Sequence, residues 1–453
     1  MEGSKAHPTP DDPFFIFLRL ERVPIFAFLF IALIWGSPVC ASTFQIDVQD
    51  FGAEGDGETD DTYSFQRALE NASEKGGVVY IPPGIYRFDG TLTIPDGVAM
   101  QGTWVGPHTA ELNKGSTFLV YSGRGDENST PFISLESDST LKGVTIFYPE
   151  QKVDDIRPYP WTIQGSGTHF NVIDVTIANA YNGIDCGTFW NEAHHLRNVH
   201  MCALRRGVFV DQCTDIGRLE NVHIHTNYWA RVSEPYALDS DEEAALWNYT
   251  KKHLEGFIIG RTDWEYISDC FVIFANVGFH FNGTSHGLAN ALITQSGSDI
   301  GPLAVKIDKV QPHAGVAFEN CQFMSGFEIG PHNWGPVKLT NCGFWGYSDD
   351  EFDTGSQMIL NGQGTVMLTA THFNDWDWTG EGKACIEVLN GSLLMSNCDF
   401  RGFDEPFIYK PLHVYIGPNV KSAAIIGNRF QHGRIGIVNE SRGEIEVAGN
   451  VRA

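Results

Sequence analysis

Two aspartates open the functional reading. In GIDC (183–186) Asp185 lies two residues after Gly183, and in GVFVD (207–211) Asp211 lies four residues after Gly207. If these segments are neighbouring strands, an axial step of about 4.8 Å and a two-residue lateral step of about 6.6 Å place the carboxyl groups roughly 8 Å apart. At that spacing one carboxyl group can protonate a glycosidic oxygen while the other activates a water on the far face of the sugar, which is hydrolysis with inversion. Solvated strand-end carboxylates would show the same pattern. His280, in GFHF (278–281), is the third catalytic candidate.

Around these stand residues suited to holding a sugar chain: Trp190, Arg206, Asp263, Trp264 and Glu328. The apolar CH face of a sugar ring stacks on indole, and the indole N–H bonds hydroxyls. Trp161, Trp190, Trp229, Trp247, Trp264, Trp334, Trp345, Trp376 and Trp378 fall mainly in loops or at strand ends; some pack loops onto the body, and two or three are expected to form sugar subsites. A second chemistry uses partly the same residues. β-Elimination on a uronate needs a base and a cation against the substrate carboxylate, and Arg205, Arg206, Arg261 and His280 are the candidates. Calcium could assist elimination through oxygen ligands such as Asp239, Asp241 and Glu242, or Asp349, Asp350 and Glu351, although acidic runs are commonly solvated faces. No cofactor is expected otherwise, and no metal ligand is assigned. There is no phosphate-binding glycine loop and no CxxC pattern, and His194-His195 lack matched ligand spacing.

What must position these groups is a repeat. LRNVHM, LENVHI, ISDCFV, FENCQF, LTNCGF, MSNCDF and IGNRF each set an Asn or Asp between two apolar runs, at Asn198, Asn221, Asp269, Asn320, Asn341, Asn397 and Asn428. The gap is 23 residues from Asn198 to Asn221 and 21 from Asn320 to Asn341, the range of a solenoid. Val, Ile and Phe alternate with period two, so the units are strands. Asn tolerates the left-handed conformation and can turn the chain between two short strands. Stacked coils then form a parallel β-helix. The recurring glycine–hydrophobe–x–hydrophobe segments should point Ile184, Val208, Phe257, Phe279 and Phe327 inward. Asp185, Phe209, Ile258, His280 and Glu328 then form one outward row.

The stretch DFGAEGDGETDDT (50–62), the amphipathic segment after it, GGVVYIPPGIYRF and LTIPDGVAMQG resemble the amino-terminal signature of the pectate-lyase superfamily over residues 46–102. More narrowly they are similar to the rhamnogalacturonase/epimerase-like domain. The resemblance implies an all-β, right-handed parallel β-helix with an amino-terminal capping helix that acts on or binds carbohydrate. The residues themselves read as structural: Gly52, Gly55 and Gly57 permit tight turns, and Thr59, Asp60 or Asp61 can cap a helix starting near Thr62. Polygalacturonase-like members carry Asn-Thr-Asp, an Asp pair, Gly-His-Gly and Arg-Ile-Lys. Here NGID (182–185) lacks the Thr-Asp, VDQC (210–213) has one Asp, SHGL (285–288) keeps His286 and Gly287, and VKID (305–308) keeps Lys306.

The chain has 453 residues, 42% hydrophobic, and a formal net charge of −26. That balance opposes nucleic acid and anionic membrane surfaces as partners, and a polyanionic substrate unless cations gather locally. Residues 1–41, with the apolar run Val23–Trp35 and the small-residue end Val39-Cys40-Ala41, read as a signal peptide or a retained anchor. Residues 42–453 then form one exported β-helix domain, secreted or periplasmic, with cap and first coil at 42–102 and insertions at 103–168 and 233–255. No stable membrane insertion is expected after cleavage, and oligomeric state is open. Eight cysteines remain, in contexts that read as buried free thiols. The expected function is a glycoside hydrolase with paired carboxylates acting on a polysaccharide. The alternatives are a polysaccharide lyase and a non-catalytic glycan-binding β-helix.

Overall fold

The asparagine turns are where the chain bends. In the computed structural model, which describes residues 45–106, 111–347, 355–378, 380–402, 412–431 and 436–452, Asn198, Asn221, Asp269, Asn320, Asn341 and Asn397 all adopt φ between 50° and 57°. Their side chains form ladders along the axis: Asn198 Nδ2 donates to Asp174 at 2.8 Å, Asn221 Nδ2 to Asn198 at 3.0 Å, and Asn341 Nδ2 to Asn320 at 2.7 Å. Asn428 departs from the expectation. Gly427 takes the left-handed position there, with φ 70°, and the buried Asn428 amide instead accepts from the Cys398 N–H at 2.9 Å.

Each coil contributes to three parallel sheets. Sheet A precedes the turn residue and sheet B follows it. Sheet C carries the glycine-led segments, and two ribbons, Asn171–Cys186 and His195–Val210, run through all three. In sheet C the register is Ile184↔Val208↔Phe257↔Phe279↔Val305↔Phe327, all buried. The inward and outward assignments hold, with one coil added: Leu303–Ile307 lies between the strands of Phe279 and Phe327, with Ala304 where the other coils have glycine. Aromatic rings stack at the coil spacing in the core, Phe257 on Phe279 at 4.8 Å and Phe373 on Phe400 at 4.8 Å. All eight described cysteines are free and buried.

The acidic opening stretch is punctuation. Helix α1 (Thr62–Ser73) buries Phe65, Ala68, Leu69 and Ala72, and Phe65 meets Tyr86, Phe88 and Phe118 edge-on inside the first coils. Asp60 accepts from the Thr62 N–H at 3.1 Å. The Asp61 carboxylate turns back to the loop and accepts from the Glu54 and Gly55 N–H groups at 2.7 and 3.3 Å. The 233–255 insertion holds helix α2 (Ser240–His253), and Asp239 and Glu242, two of the acidic residues offered as calcium ligands, serve there as its cap. Asp239 accepts from the Asp241 and Glu242 N–H groups while Glu242 accepts from the Asp239 N–H, a reciprocal cap at the helix start. Asp349, Asp350, Glu351 and the segment 1–41 lie outside the described residues. Among the described residues no helix is long and apolar enough to cross a membrane.

Candidate functional site

The outward row of sheet C exists and is longer than expected. It runs Gln164, Asp185, Phe209, Ile258, His280, Lys306, Glu328, Ile359, Glu387 and Tyr415, each paired in register with the next. Asp185 and His280 are therefore three coils apart, about 14 Å at the usual strand spacing, and cannot act on one bond. Glu328 sits beside Lys306, two coils from His280.

Asp185 and Asp211 do not form a facing pair. Asp185 is fully buried; its Oδ1 accepts from the Gly187 and Thr188 N–H groups at 2.8 and 2.9 Å, and its Oδ2 from Gln164 Nε2 at 2.6 Å in the preceding coil. The carboxylate holds the turn that leaves the strand. Asp211, 3% exposed, turns the opposite way along the solenoid. Its Oδ1 accepts from the Arg261 N–H at 2.7 Å and Thr284 Oγ1 at 3.0 Å, and its Oδ2 from His286 Nδ1 at 2.8 Å. The lateral step behind the 8 Å estimate is right. Side-chain direction, which spacing does not carry, overturns the dyad.

His280 is a bridge. Its Nδ1 contacts Glu255 at 2.8 Å and its Nε2 contacts Asp308 at 2.9 Å, so neither ring nitrogen is open to a substrate. Burial disfavours the charged imidazole, but the hydrogen bonds to Glu255 and Asp308 outweigh it and hold the pKa above its ordinary 6.5. The same contact with His280 holds Glu255 below its ordinary 4.5. At the amino end of the row Arg206 lies over the Trp161 ring at 4.4 Å, donates to Asn182 at 2.9 Å and pairs with Glu127 at 3.7 Å, as Arg205 does at 3.2 Å. Burial lowers the Arg206 pKa, with Glu127 opposing. Arg206 thus braces an aromatic shelf, since Trp161 stacks on Phe209 at 6.3 Å.

The accessible chemistry gathers at the corner between sheets C and A. There the backbone ladder Asn191–Cys213–Thr262–Ala289 sets Trp190, Gln212 and Arg261 one above another. Trp190 and Trp264 are 48% and 53% exposed, and the Trp190 indole N–H donates to Thr214 Oγ1 at 2.9 Å. Asp263 does not face outward alone: it accepts from Arg261 Nη2 at 2.6 Å and from Gln311 Nε2 at 3.1 Å. His286 joins this corner through Asp211, the residue before Gln212. Its side chain is 46% exposed while that of its Asp211 partner is 4% exposed. With the Nδ1 proton given to Asp211, Nε2 carries the lone pair toward solvent, an assignment made from the hydrogen-bond network. Arg261 is adjacent, since a Cβ on Gly287 would meet its Cγ. SHGL marked His286 in the sequence, but nothing local joins it to a partner 75 residues away. Glu255 and Asp308 were missed because each matters only through a neighbouring coil, and Lys306, kept in VKID, was not placed on the row. Among the described residues one group could hold a metal: His194, Cys213 and Glu265, all buried.

Residues 45–142 match the family model described as rhamnogalacturonase A/epimerase, pectate lyase-like. Mannuronan C5-epimerase AlgE6 of Azotobacter vinelandii is 41% identical over 95 residues, 18% of this chain and 11% of that protein. Alginate lyase 7 of the same organism is 36% identical over 111 residues, 22% of this chain and 13% of that protein. The chain thus matches only a small part of the length of these relatives. Among solved structures, the amino-terminal fragment of bacteriophage phi29 gene product 12 shares the fold, with a TM-score of 0.57 at 15% identity over 94% of this chain and 73% of that one. The signature read from residues 46–102 is that of the pectate-lyase superfamily, in its rhamnogalacturonase/epimerase-like branch, and the chain that follows it winds a parallel β-helix.

Proposed function

We propose that this protein is a polysaccharide-modifying enzyme that abstracts a proton from the uronate units of an acidic polymer, with β-elimination the outcome. The observation that carries the reading is His286, exposed at a corner of the solenoid, anchored through Nδ1 by the buried Asp211 carboxylate and bordered by Arg261. Nε2 takes the proton α to the uronate carboxylate. The electron pair delocalises into that carboxylate, which a nearby cation stabilises. The C4–C5 double bond then forms as the C4–O bond breaks, and the leaving oxygen takes a proton. Epimerisation shares the first step and differs in returning a proton to C5. The names of the sequence relatives, a mannuronan C5-epimerase and an alginate lyase, support a uronate polymer.

The net charge of −26 is no obstacle on this face. Arg205, Arg206, Arg261, His280 and Lys306 bring cations to it, each against an acidic neighbour, which is the local gathering of cations a polyanionic substrate needs. Trp190 and Trp264 supply exposed stacking surfaces at the same corner.

Hydrolysis retains one foothold. Glu255 and Asp308 flank His280, and carboxyl groups on either side of one imidazole approach the roughly 6.5–9.5 Å used by inverting hydrolases. The ring itself fills the space a water would need, which favours elimination. An exported location, read from residues 23–41, belongs to the same proposal. A panel of uronate and neutral polysaccharides tests it: products absorbing in the near ultraviolet are expected from the uronates alone. New reducing ends without that absorbance would establish hydrolysis instead, and retention of glycan without any product would establish a binding protein.

A further inference from the structure

Directly beneath the corner strip lies a cluster that the chemistry above does not use. His194, Cys213 and Glu265 are each fully buried, and their donor atoms lie within 4.8 Å of one another. They are 19 and 52 residues apart in the chain, a spacing that matches no metal motif; only the winding of the coils brings them together.

The surroundings orient the ligands. Asn191 Nδ2 donates to the carbonyl oxygens of Cys186, Phe189 and Asp211 at 2.8, 3.1 and 2.9 Å, so its Oδ1 must be the acceptor. His194 Nδ1, 2.9 Å from that oxygen, is therefore the protonated nitrogen. Nε2 faces Glu265 Oε1 at 3.0 Å. The other carboxylate oxygen accepts from Thr262 Oγ1 at 2.9 Å, and the imidazole lies flat against Phe170 at 5.8 Å. An imidazole whose far N–H is tied to an oxygen acceptor, beside a carboxylate that is itself hydrogen-bonded, is how metal ligands are held in proteins. Space is tailored as well: a Cβ on Gly217 would collide with both the His194 ring and the Glu265 carboxylate.

We propose that His194 Nε2, Cys213 Sγ and a Glu265 carboxylate oxygen bind one divalent transition-metal cation of the zinc type. The donor set selects the class. A thiolate with an imidazole favours zinc-like ions, whereas calcium and magnesium take oxygen ligands. Charge balance agrees, since one thiolate and one carboxylate neutralise a dication in a site shut off from water. The protons balance too. The imidazole–carboxylate contact holds one proton, and the Cys213 thiol holds another, directed at the Asp215 carbonyl at 2.7 Å. A dication displaces both into solvent.

The ion would be structural. Asn191 links His194 to the Asp211 carbonyl, and Arg261 Nη1 donates to the Cys213 carbonyl at 2.7 Å. Filling the site thus stiffens the floor under His286 and Arg261.

The test is to unfold the full chain in chelator, refold it with Zn²⁺ or Co²⁺, remove free metal and measure retained metal by mass spectrometry. The wild type is expected to keep about one equivalent and to melt at a higher temperature than protein refolded in chelator. The Co²⁺ form should show a thiolate-to-cobalt charge-transfer band, absent from Cys213→Ala. The Cys213→Ala melting temperature should not respond to metal. Wild-type protein that retains no metal and melts identically with and without it would overturn the proposal, as would undiminished retention in Cys213→Ala. Because the wild-type comparison needs no variant, misfolding of the variant leaves the test intact.

Discussion

Asp211→Asn changes one charge and almost no volume, so it separates the tautomer of His286 from the shape around it. In the wild type the carboxylate accepts three hydrogen bonds, from the Arg261 N–H, Thr284 Oγ1 and His286 Nδ1. In the variant the amide oxygen keeps the first two, and the new NH2 group faces Nδ1 across the former 2.8 Å contact. Both sides now being donors, the imidazole must shift its proton from Nδ1 to Nε2. Nε2 then has no lone pair for a substrate proton. A positioned general base contributes about 10²–10⁴-fold to rate, which at about 1.36 kcal/mol per decade is roughly 3–5 kcal/mol of barrier. The two retained bonds weaken from charge-assisted to neutral, roughly 1 kcal/mol each, partly offset by the lower cost of burying an amide. The fold should survive. Initial rates on a uronate polymer, corrected for folded fraction by circular dichroism, are expected to fall by two to four decades with a modest loss of melting temperature. A turnover within about twofold of wild type in folded Asp211→Asn would refute the assignment of His286 as base.

Three further outcomes follow from the same geometry. Asp185→Asn disturbs a buried turn, so it should lower stability by about 1–3 kcal/mol while the folded fraction keeps its kcat; lost turnover with an unchanged melt would restore Asp185 to the chemistry. Trp264→Ala should raise KM about 2- to 13-fold with kcat nearly constant, the size of about 0.5–1.5 kcal/mol of ring stacking, and an unchanged KM would remove the indole from the substrate path. The Glu255–His280–Asp308 bridge makes stability depend on pH. His280 is raised above 6.5, so its contribution is full below that pH and is lost as pH climbs through the elevated value; Glu255 is lowered below 4.5, so its contribution is full above 4.5 and is lost as pH falls. Thermal melts should show this bridge at full strength between pH 4.5 and 6.5, with the alkaline decline flattened in His280→Gln.

The winding was legible because its signals are local. An Asn that can sit at positive φ, flanked by alternating hydrophobes, is visible within six residues, and so is the helix after the acidic turn. Coil 303–307 escaped because Ala304 stands where other coils have glycine, and Asn428 was misplaced by one residue because Gly427 serves the turn better. The site was half legible for the opposite reason. Stacking in register let Asp185, His280 and Glu328 be assigned to one wall correctly, but whether a carboxylate faces solvent depends on partners in other coils. Gln164 claims Asp185 across 21 residues, and Asp308 claims His280 across 28. The pairing of Asp211 with His286 and the His194–Cys213–Glu265 cluster belong to the fold, with no trace in residue spacing.

Proton abstraction at C5 is the central claim, and isotope release reads it without regard to what happens next. A uronate polymer carrying deuterium at C5 should lose that label to water when incubated with the protein, whether the product is unsaturated or inverted, and the loss should vanish in His286→Ala. Products that form with the C5 deuterium fully retained would contradict it.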